Sequence, residues 1–464
     1  LSDRPALFGL TTERKLKLVS RLSARRKDSL GGVAETEPAS ALSLAPRLGD
    51  PKVHDDLRMI RMGGDLLKID NPYFRVHAGI AGATTEIGGR SYDNFVSYNY
   101  IGLNGDPRVS AAAKAAIDRY GTSVSASRIV SGERPIHQEL EAELAALYGA
   151  EDCVAFVSGH ATNVTVIGHL VGPEDLILHD SLSHNSIVQG AVLSGARRAS
   201  FPHNDVVELD RLLGAMRPRG KRALIVIEGH YSMDGDVPDL AAIVAVARRH
   251  RASLMVDEAH ALGVLGRTGR GIAERCGVEP GAVDVWMGTL SKSLAGCGGY
   301  IAGNRQLVDY LRCTAPGFLY SVGMSPPVAG AALAALRLML AEPERVDRLA
   351  ANAAFFLARA KSAGLNTGPS IGAGIVPIIT GSSIRAARAA DALFQRGINV
   401  QPIIYPAVPE RAARLRFFLS SLHEPDRLAH TIDTTVEVLS QIRPETISLA
   451  ELATKLLRGP QADS

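Results

Sequence analysis

The sequence has few cysteines, few aromatics and little net charge. Its four cysteines, at 153, 276, 297 and 313, show no paired spacing among 464 residues. They imply neither a metal knuckle nor a disulfide framework, and a reducing cytoplasm is the simplest home. Lysine and arginine total 51 against 48 acidic residues, a net charge of +3, too small to argue for a nucleic-acid surface. No apolar run reaches the ~18 residues of a membrane span, and no signal peptide is present. No Gly-x-Gly-x-x-Gly turn follows a first strand with an acid at the right distance, and no Gly-x4-Gly-Lys-Ser/Thr loop occurs. A nicotinamide fold and a P-loop nucleotide site are therefore disfavoured. An initiating Met is missing too: the chain starts at Leu1, which suggests a processed or excised piece of something longer.

What is there reads as an ordinary globular protein, 46% apolar and 21% charged, with a length that suggests about two or three domains. Residues 1–52 stand apart. Thr11-Thr12-Glu13 opens a basic helical pattern with Leu16, Val19 and Leu22 on one face, and a Pro/Gly/Ala/Ser-rich linker follows from Gly31 to Pro51. Such a helix is more often a docking or connecting segment than a membrane-surface one. Residues 53–110 form an N-terminal segment in which Phe95–Leu103 reads as a strand running into a turn. From 111 to 335 apolar runs alternate with helical stretches. Strands are expected at Cys153–Val157, Leu176–His179, Arg198–Phe201, Ala223–Glu228, Ser253–Asp257 and Val283–Met287. That alternation predicts an α/β fold, with a mostly parallel sheet covered by helices on both faces. A smaller C-terminal α/β domain is expected over 336–445, and a tail over 446–464. The long helical stretch after Pro326 is expected to bend or break near Pro343.

Ligands of parallel sheets bind at the carboxyl ends of strands, so the polar residues there carry the functional reading. Lys292 lies just past the last apolar run, among hydroxyls and glycines. Read by itself it is a surface lysine; read as chemistry it is an amine placed to form a Schiff base. Ser158-Gly159-His160 ends one strand and opens a helix, where free N–H groups make a phosphate cradle, although most such turns bind nothing. His184 follows another strand, as a helix-capping imidazole or a plane for a cofactor ring. Glu228 begins a further polar stretch. Asp257 ends a buried strand with His260 three residues on; no third ligand has zinc spacing, so no metal is expected, and a carboxylate facing a heterocyclic nitrogen is the better reading. An acid, an imidazole, a phosphate cradle and a lysine at strand ends together fit pyridoxal phosphate.

The motifs Ser-Gly-His-Ala-Thr-Asn, Leu-Ser-His-Asn-Ser, Glu-Gly-His-Tyr-Ser-Met-Asp-Gly-Asp, Asp-Glu-Ala-His and Thr-Leu-Ser-Lys occur in that order. Through them the chain from about Tyr92 to His423 resembles the α-oxoamine synthases, in the fold-type I group of pyridoxal-phosphate enzymes. The resemblance implies that Lys292 carries the cofactor and later moves the α-proton. It implies that Asp257 pairs with the ring nitrogen, His260 bonds the ring oxygen and His184 stacks on the ring. Gly159, His160 and Thr289 would hold the phosphate, with Ser321 arriving from the other subunit of a homodimer with a shared active site, and Ser158 and Ser291 are expected among the cofactor-binding residues. The family more often has Phe or Tyr where His160 stands. Ser232 would lie near the ring oxygen with Glu228 close by. Arg416 matches the arginine that clamps the amino-acid carboxylate, and Asn99 is a weaker match near the substrate. The implied chemistry is a decarboxylative Claisen condensation of an amino acid with an acyl thioester. A pyridoxal-phosphate aminotransferase is the rival enzyme, and a non-catalytic partner subunit of the same fold the rival binding protein.

Ser127 stands where glycine-using relatives tend to have Thr, which favours alanine or serine over glycine. The N-terminal segment from Leu10 resembles connecting helices of polyketide and non-ribosomal peptide assembly lines. That implies a donor held on an acyl carrier protein and an off-loading role, with a free-standing acyl-CoA enzyme as the alternative.

Overall fold

The computed structural model describes residues 69–217 and 220–442. The expected helix and linker at 1–52 and the tail at 446–464 lie outside the described residues. The chain enters through three short strands, β1 (His77–Ala78), β2 (Thr84–Ile87) and β3 (Arg90–Asn94), and a helix at Pro107–Tyr120 follows. The main sheet then takes β4 (Asp152–Phe156), β5 (Leu176–Asp180), β6 (Arg197–Phe201), β7 (Ala223–Glu228), β8 (Ser253–Asp257), β9 (Val285–Thr289) and β10 (Gly299–Gly303).

Its order is β4-β10-β9-β8-β7-β5-β6. β5–β6, β5–β7, β7–β8 and β8–β9 pair in parallel, and β10 runs antiparallel to both its neighbours. β4 therefore points the same way as β9, and only β10 is reversed. Strands covered on both faces need apolar side chains at every position, and β7 (Ala-Leu-Ile-Val-Ile-Glu) is buried throughout. Alternate side chains feed two cores: Ile225, Ile227, Leu254 and Val256 enter one, and Leu224, Val226, Met255 and Met287 the other. The crossover helices are cut by local signals. Asp239 caps Leu240–Arg249 by accepting from the Ala242 N–H, and Arg248 and Arg249 end it, where cations favour the helix dipole.

The long helical stretch divides as expected, into Pro326–Ala341 and Glu344–Ser362, with Pro343 between them. The first helix spans the expected 335/336 domain boundary without interruption. It packs closely on the helix Pro107–Tyr120, because a Cβ on Gly330 would lie 2.9 Å from the Ala112 carbonyl. The C-terminal strands are β11 (Ile375–Ile379), β12 (Ile398–Asn399), β13 (Gln401–Ile403) and β14 (Arg414–Phe418). β11, β14 and β13 form an antiparallel sheet, while β12 pairs in parallel with β3, so the N-terminal segment completes a sheet with C-terminal residues.

The stretch Phe95–Leu103 is not the expected strand; regular pairing ends at Asn94. Phe95, Tyr100, Ile101 and Leu103 are fully buried. Their backbone is held singly instead of in a ladder: Phe95 N donates to the Asn399 carbonyl, and the Phe95 and Tyr100 carbonyls accept from Phe418 and Ser421. The apolar signal was burial between sheets and not strand pairing.

Candidate active site

The carboxyl ends of β4, β5, β7, β8 and β9 face the same edge of the sheet. Ser158, Gly159, His160, His184, Glu228, Asp257, His260, Thr289, Ser291 and Lys292 all line one cavity there, of about 240 Å³. Ser158 caps the helix Gly159–Leu170 by accepting from the Ala161 N–H, which leaves first-turn amides pointing outward. Thr289 Oγ1 donates to the Gly298 carbonyl at 2.9 Å and lies 2.7 Å from Ser291 Oγ. A Cβ added to Gly159 would sit 2.7 Å from that same Oγ1, so only glycine leaves this wall of the cradle open.

Asp257, 4% exposed, accepts from the Ala259 N–H at 2.9 Å and from Asn163 Nδ2 at 2.7 Å. Both donors are neutral amides, so a buried carboxylate faces the cavity with capacity for a cationic N–H. Burial raises the Glu228 carboxyl well above its usual range, with the Asp257 charge adding to the effect. Glu228 Oε1 accepts the backbone N–H of His184 at 2.6 Å, tying β7 to the turn after β5. The Tyr100 hydroxyl lies 2.7 Å from His260 Nδ1, and the His260 ring stacks on Phe418. Burial, then the nearby Lys292 cation, depress the His260 pKa well below its usual value.

Burial lowers the Lys292 ammonium to about 8; Asp257 and Glu228 oppose the shift and Arg416 adds to it. About a tenth of such amines are neutral at pH 7, against about three in ten thousand at the ordinary lysine pKa. Lys292 and Ser291 also line an adjoining chamber of about 360 Å³. The amine therefore stands where two cavities meet.

The remaining expected residues are placed differently. Arg416 is half-buried on β14, with Nη1 donating to the Ser232 carbonyl at 3.2 Å, its guanidinium 4.6 Å from the Phe418 ring centroid, and Nε without a hydrogen-bond partner among the described residues. Ser232 thus contacts the arginine through its backbone and does not line the cavity. Asn99 lines the adjoining chamber, but its side chain is engaged: Nδ2 donates to the Ala81 and Asn104 carbonyls and Oδ1 accepts from Asn104 N. Ser127 starts a turn, its carbonyl accepting from Val130 and Gly132, and lines neither cavity. Ser321 Oγ donates to the Val322 carbonyl, also away from the cavity of its own chain.

The donor set fits pyridoxal phosphate: a glycine-walled cradle at a helix start, a buried carboxylate and a desolvated amine surround one space. Residues 93–434 match the family described as Aminotransferase class I and II. An 8-amino-7-oxononanoate synthase of Anaeromyxobacter sp. (strain K) is 42% identical over 364 residues, 78% of this chain and 89% of the relative. The chain belongs to the α-oxoamine synthase family. A putative 8-amino-7-oxononanoate synthase of Gloeobacter violaceus is 40% identical over 368 residues, 79% of this chain and 92% of that protein. Among solved structures, Sphingomonas wittichii serine palmitoyltransferase aligns with TM-score 0.80 and 30% identity, covering 86% of this chain and all of that one. Francisella tularensis 8-amino-7-oxononanoate synthase aligns with TM-score 0.65 and 25% identity, over 75% and 97% of the two chains. A serine palmitoyltransferase carrying pyridoxal phosphate aligns with TM-score 0.79 and 29% identity, over 85% of this chain and 98% of its own. This α-oxoamine synthase is therefore a pyridoxal-phosphate-dependent acyltransferase of fold type I.

Among the residues of the α-oxoamine synthase site that went unassigned in the sequence are Asn163 and Ser186. Asn163 lies four residues after Gly159, one helical turn on and so on the same helix face, and Ser186 lies beside His184; both line the cavity. Helical spacing from the cradle glycine was the available signal for Asn163.

Proposed function

We propose that this enzyme joins alanine or serine to an acyl thioester held on an acyl carrier protein, releasing CO2, a thiol and an α-amino ketone. The observation that carries the amino-acid choice is the chemistry in the relatives' names. In 8-amino-7-oxononanoate the amine-bearing carbon and its terminal methyl are what alanine leaves after losing CO2, with the ketone carbon ending a seven-carbon acyl group. Serine palmitoyltransferase names serine directly. The carrier-protein donor is supported by the likeness of the N-terminal segment to assembly-line connecting helices.

Pyridoxal phosphate, when bound, supplies an electron sink for the pair of electrons left on the α-carbon. Asp257 holds a proton at the ring nitrogen, and its neutral hydrogen-bond donors leave it free to do so. The first-turn amides at Gly159 and His160, with Thr289, Ser158 and Ser291, bind the phosphate. His184 would orient the ring from one face, and His260 with Glu228 would border its oxygen side. Lys292 Nζ anchors the cofactor and then takes the α-proton, a task suited to an amine whose pKa is brought to about 8. Arg416 grips the substrate carboxylate, with its unpartnered Nε as one prong of a fork. Asn99 borders the adjoining chamber, through which the acyl group approaches Lys292. A homodimer, in which each Ser321 serves the partner's cavity, completes the reading.

A kinetic panel of glycine, alanine and serine, each with acyl-carrier-protein and acyl-CoA donors of the same chain, tests it. Turnover with glycine alone contradicts the amino-acid choice, and a strong preference for CoA contradicts the carrier-protein donor.

A further inference from the structure

The cavity wall contains a hydrogen-bond relay whose direction is fixed by chemistry. Asn163 Nδ2 lies 2.7 Å from Asp257 Oδ2 and 3.0 Å from Ser186 Oγ. Ser186 Oγ in turn lies 2.7 Å from His184 Nδ1. A carboxylate oxygen only accepts, so the amide nitrogen of Asn163, and not its oxygen, must face Asp257. Turning the amide over would set oxygen against oxygen at 2.7 Å. The second N–H of the same nitrogen is then available to Ser186 Oγ, which accepts it. The Ser186 hydroxyl proton is left to donate, and His184 Nδ1 is the acceptor beside it. The Ser186 backbone N–H also points at Nδ1, at 3.3 Å.

We propose that Asn163 is a positioning residue that sets two groups at once: it fixes the Asp257 carboxylate and, through Ser186, locks His184 as its Nε2–H tautomer. Two donors converging on Nδ1 leave no place for a proton there, so the ring proton resides on Nε2. Asn163, Ser186 and Asp257 are 2%, 1% and 4% exposed, so water has little access to replace either bond. Burial also lowers the His184 pKa, against the opposing pull of Asp257, in keeping with a neutral ring. His184 then offers the site an N–H donor of fixed direction, and the acid and the imidazole cannot move independently. The consequence for the reaction rests on the roles given to Asp257 and His184 under Proposed function; the tautomer does not.

The test uses the full-length apoprotein with 15N-labelled histidine, the His184 signals being identified among the 13 histidines by their loss in His184→Gln. Wild type is expected to show His184 with a protonated Nε2 and an unprotonated Nδ1 near pH 7; an Nδ1–H tautomer or an imidazolium overturns the proposal without any variant having to fold. Ser186→Ala keeps the backbone N–H to Nδ1 but loses the side-chain donor, and is expected to weaken the preference for the Nε2–H tautomer. Asn163→Ala is expected to weaken that preference and also to weaken pyridoxal-phosphate binding by roughly tenfold or more, as a buried acceptor loses its donor. An unchanged tautomer preference in Ser186→Ala, or unchanged cofactor affinity in a folded Asn163→Ala, contradicts the relay. Failure of the functional reading would show separately, as thioester and amino acid yielding no CO2 with the tautomer intact.

Discussion

Replacing Gly159 by Ala should weaken pyridoxal-phosphate binding without unfolding the protein. The new Cβ would lie 2.7 Å from Thr289 Oγ1, 3.1 Å from Thr289 Cβ and 3.5 Å from the Gly298 carbonyl. Thr289 has little freedom to yield, because its hydroxyl is fixed by the Gly298 carbonyl at 2.9 Å and by Ser291 Oγ at 2.7 Å. Gly159 does not have a left-handed backbone, so alanine meets a steric obstacle and not a conformational one. Overpacking of this kind costs about 1–3 kcal/mol, and displacing the helix start moves the amides that face the phosphate. At about 1.4 kcal/mol per decade the full cost corresponds to a roughly 5- to 150-fold rise in cofactor Kd. Equilibrium titration of the apoprotein with pyridoxal phosphate reads this directly. Gly172→Ala is the control, since a Cβ there meets nothing within 4 Å. An unchanged Kd in Gly159→Ala, or an equal loss in Gly172→Ala, refutes the reasoning.

Arg416→Lys should raise the KM for the amino acid by roughly tenfold or more while leaving the KM for the thioester nearly unchanged, because a point charge replaces a planar fork; steady-state kinetics with each substrate varied in turn decides it. In the apoenzyme, acylation of Lys292 by an amine-selective reagent should rise with a midpoint near 8, because the neutral amine is the nucleophile; a midpoint at the ordinary lysine value of 10.5 would show that the site does not desolvate it. His423 is 4% exposed, and burial lowers its pKa from 6.5 to about 4. Its folded pKa is the depressed one, so its contribution is present above pH 6.5 and is lost as pH falls toward 4, amounting to roughly 3 kcal/mol. Denaturant melts of wild type and His423→Gln across that window should converge as the pH drops, and parallel curves would contradict the assignment.

The central sheet was legible because strands covered on both faces are apolar along their length, as β7 is up to Glu228 and β8 is between Ser253 and Asp257. β10 escaped notice because Gly299–Gly303 is a five-residue strand that begins and ends in glycine and follows a glycine-rich loop. Lys292, Asp257 and His184 stood out because strand ends are where polar residues need a reason. Arg416 had no such local signal: it lies on β14, distant in sequence, and came only from resemblance to the family. Asn99 shows the limit of a positional match, since the side chain that suggested substrate contact is engaged in closing its own turn. Asn163 was hidden for a different reason. Its significance is the bonds to Asp257 and Ser186, 94 and 23 residues away, and no periodicity records such partners.

The central claim is that the Lys292 cavity performs a decarboxylative condensation. Supplying carboxyl-labelled alanine or serine with an acyl thioester, and measuring labelled CO2 and free thiol in the same reaction, tests it most directly. Equal amounts of CO2 and thiol, both abolished by Lys292→Ala, are the predicted result. Formation of a keto acid without CO2, or CO2 release that survives loss of Lys292, would contradict the account.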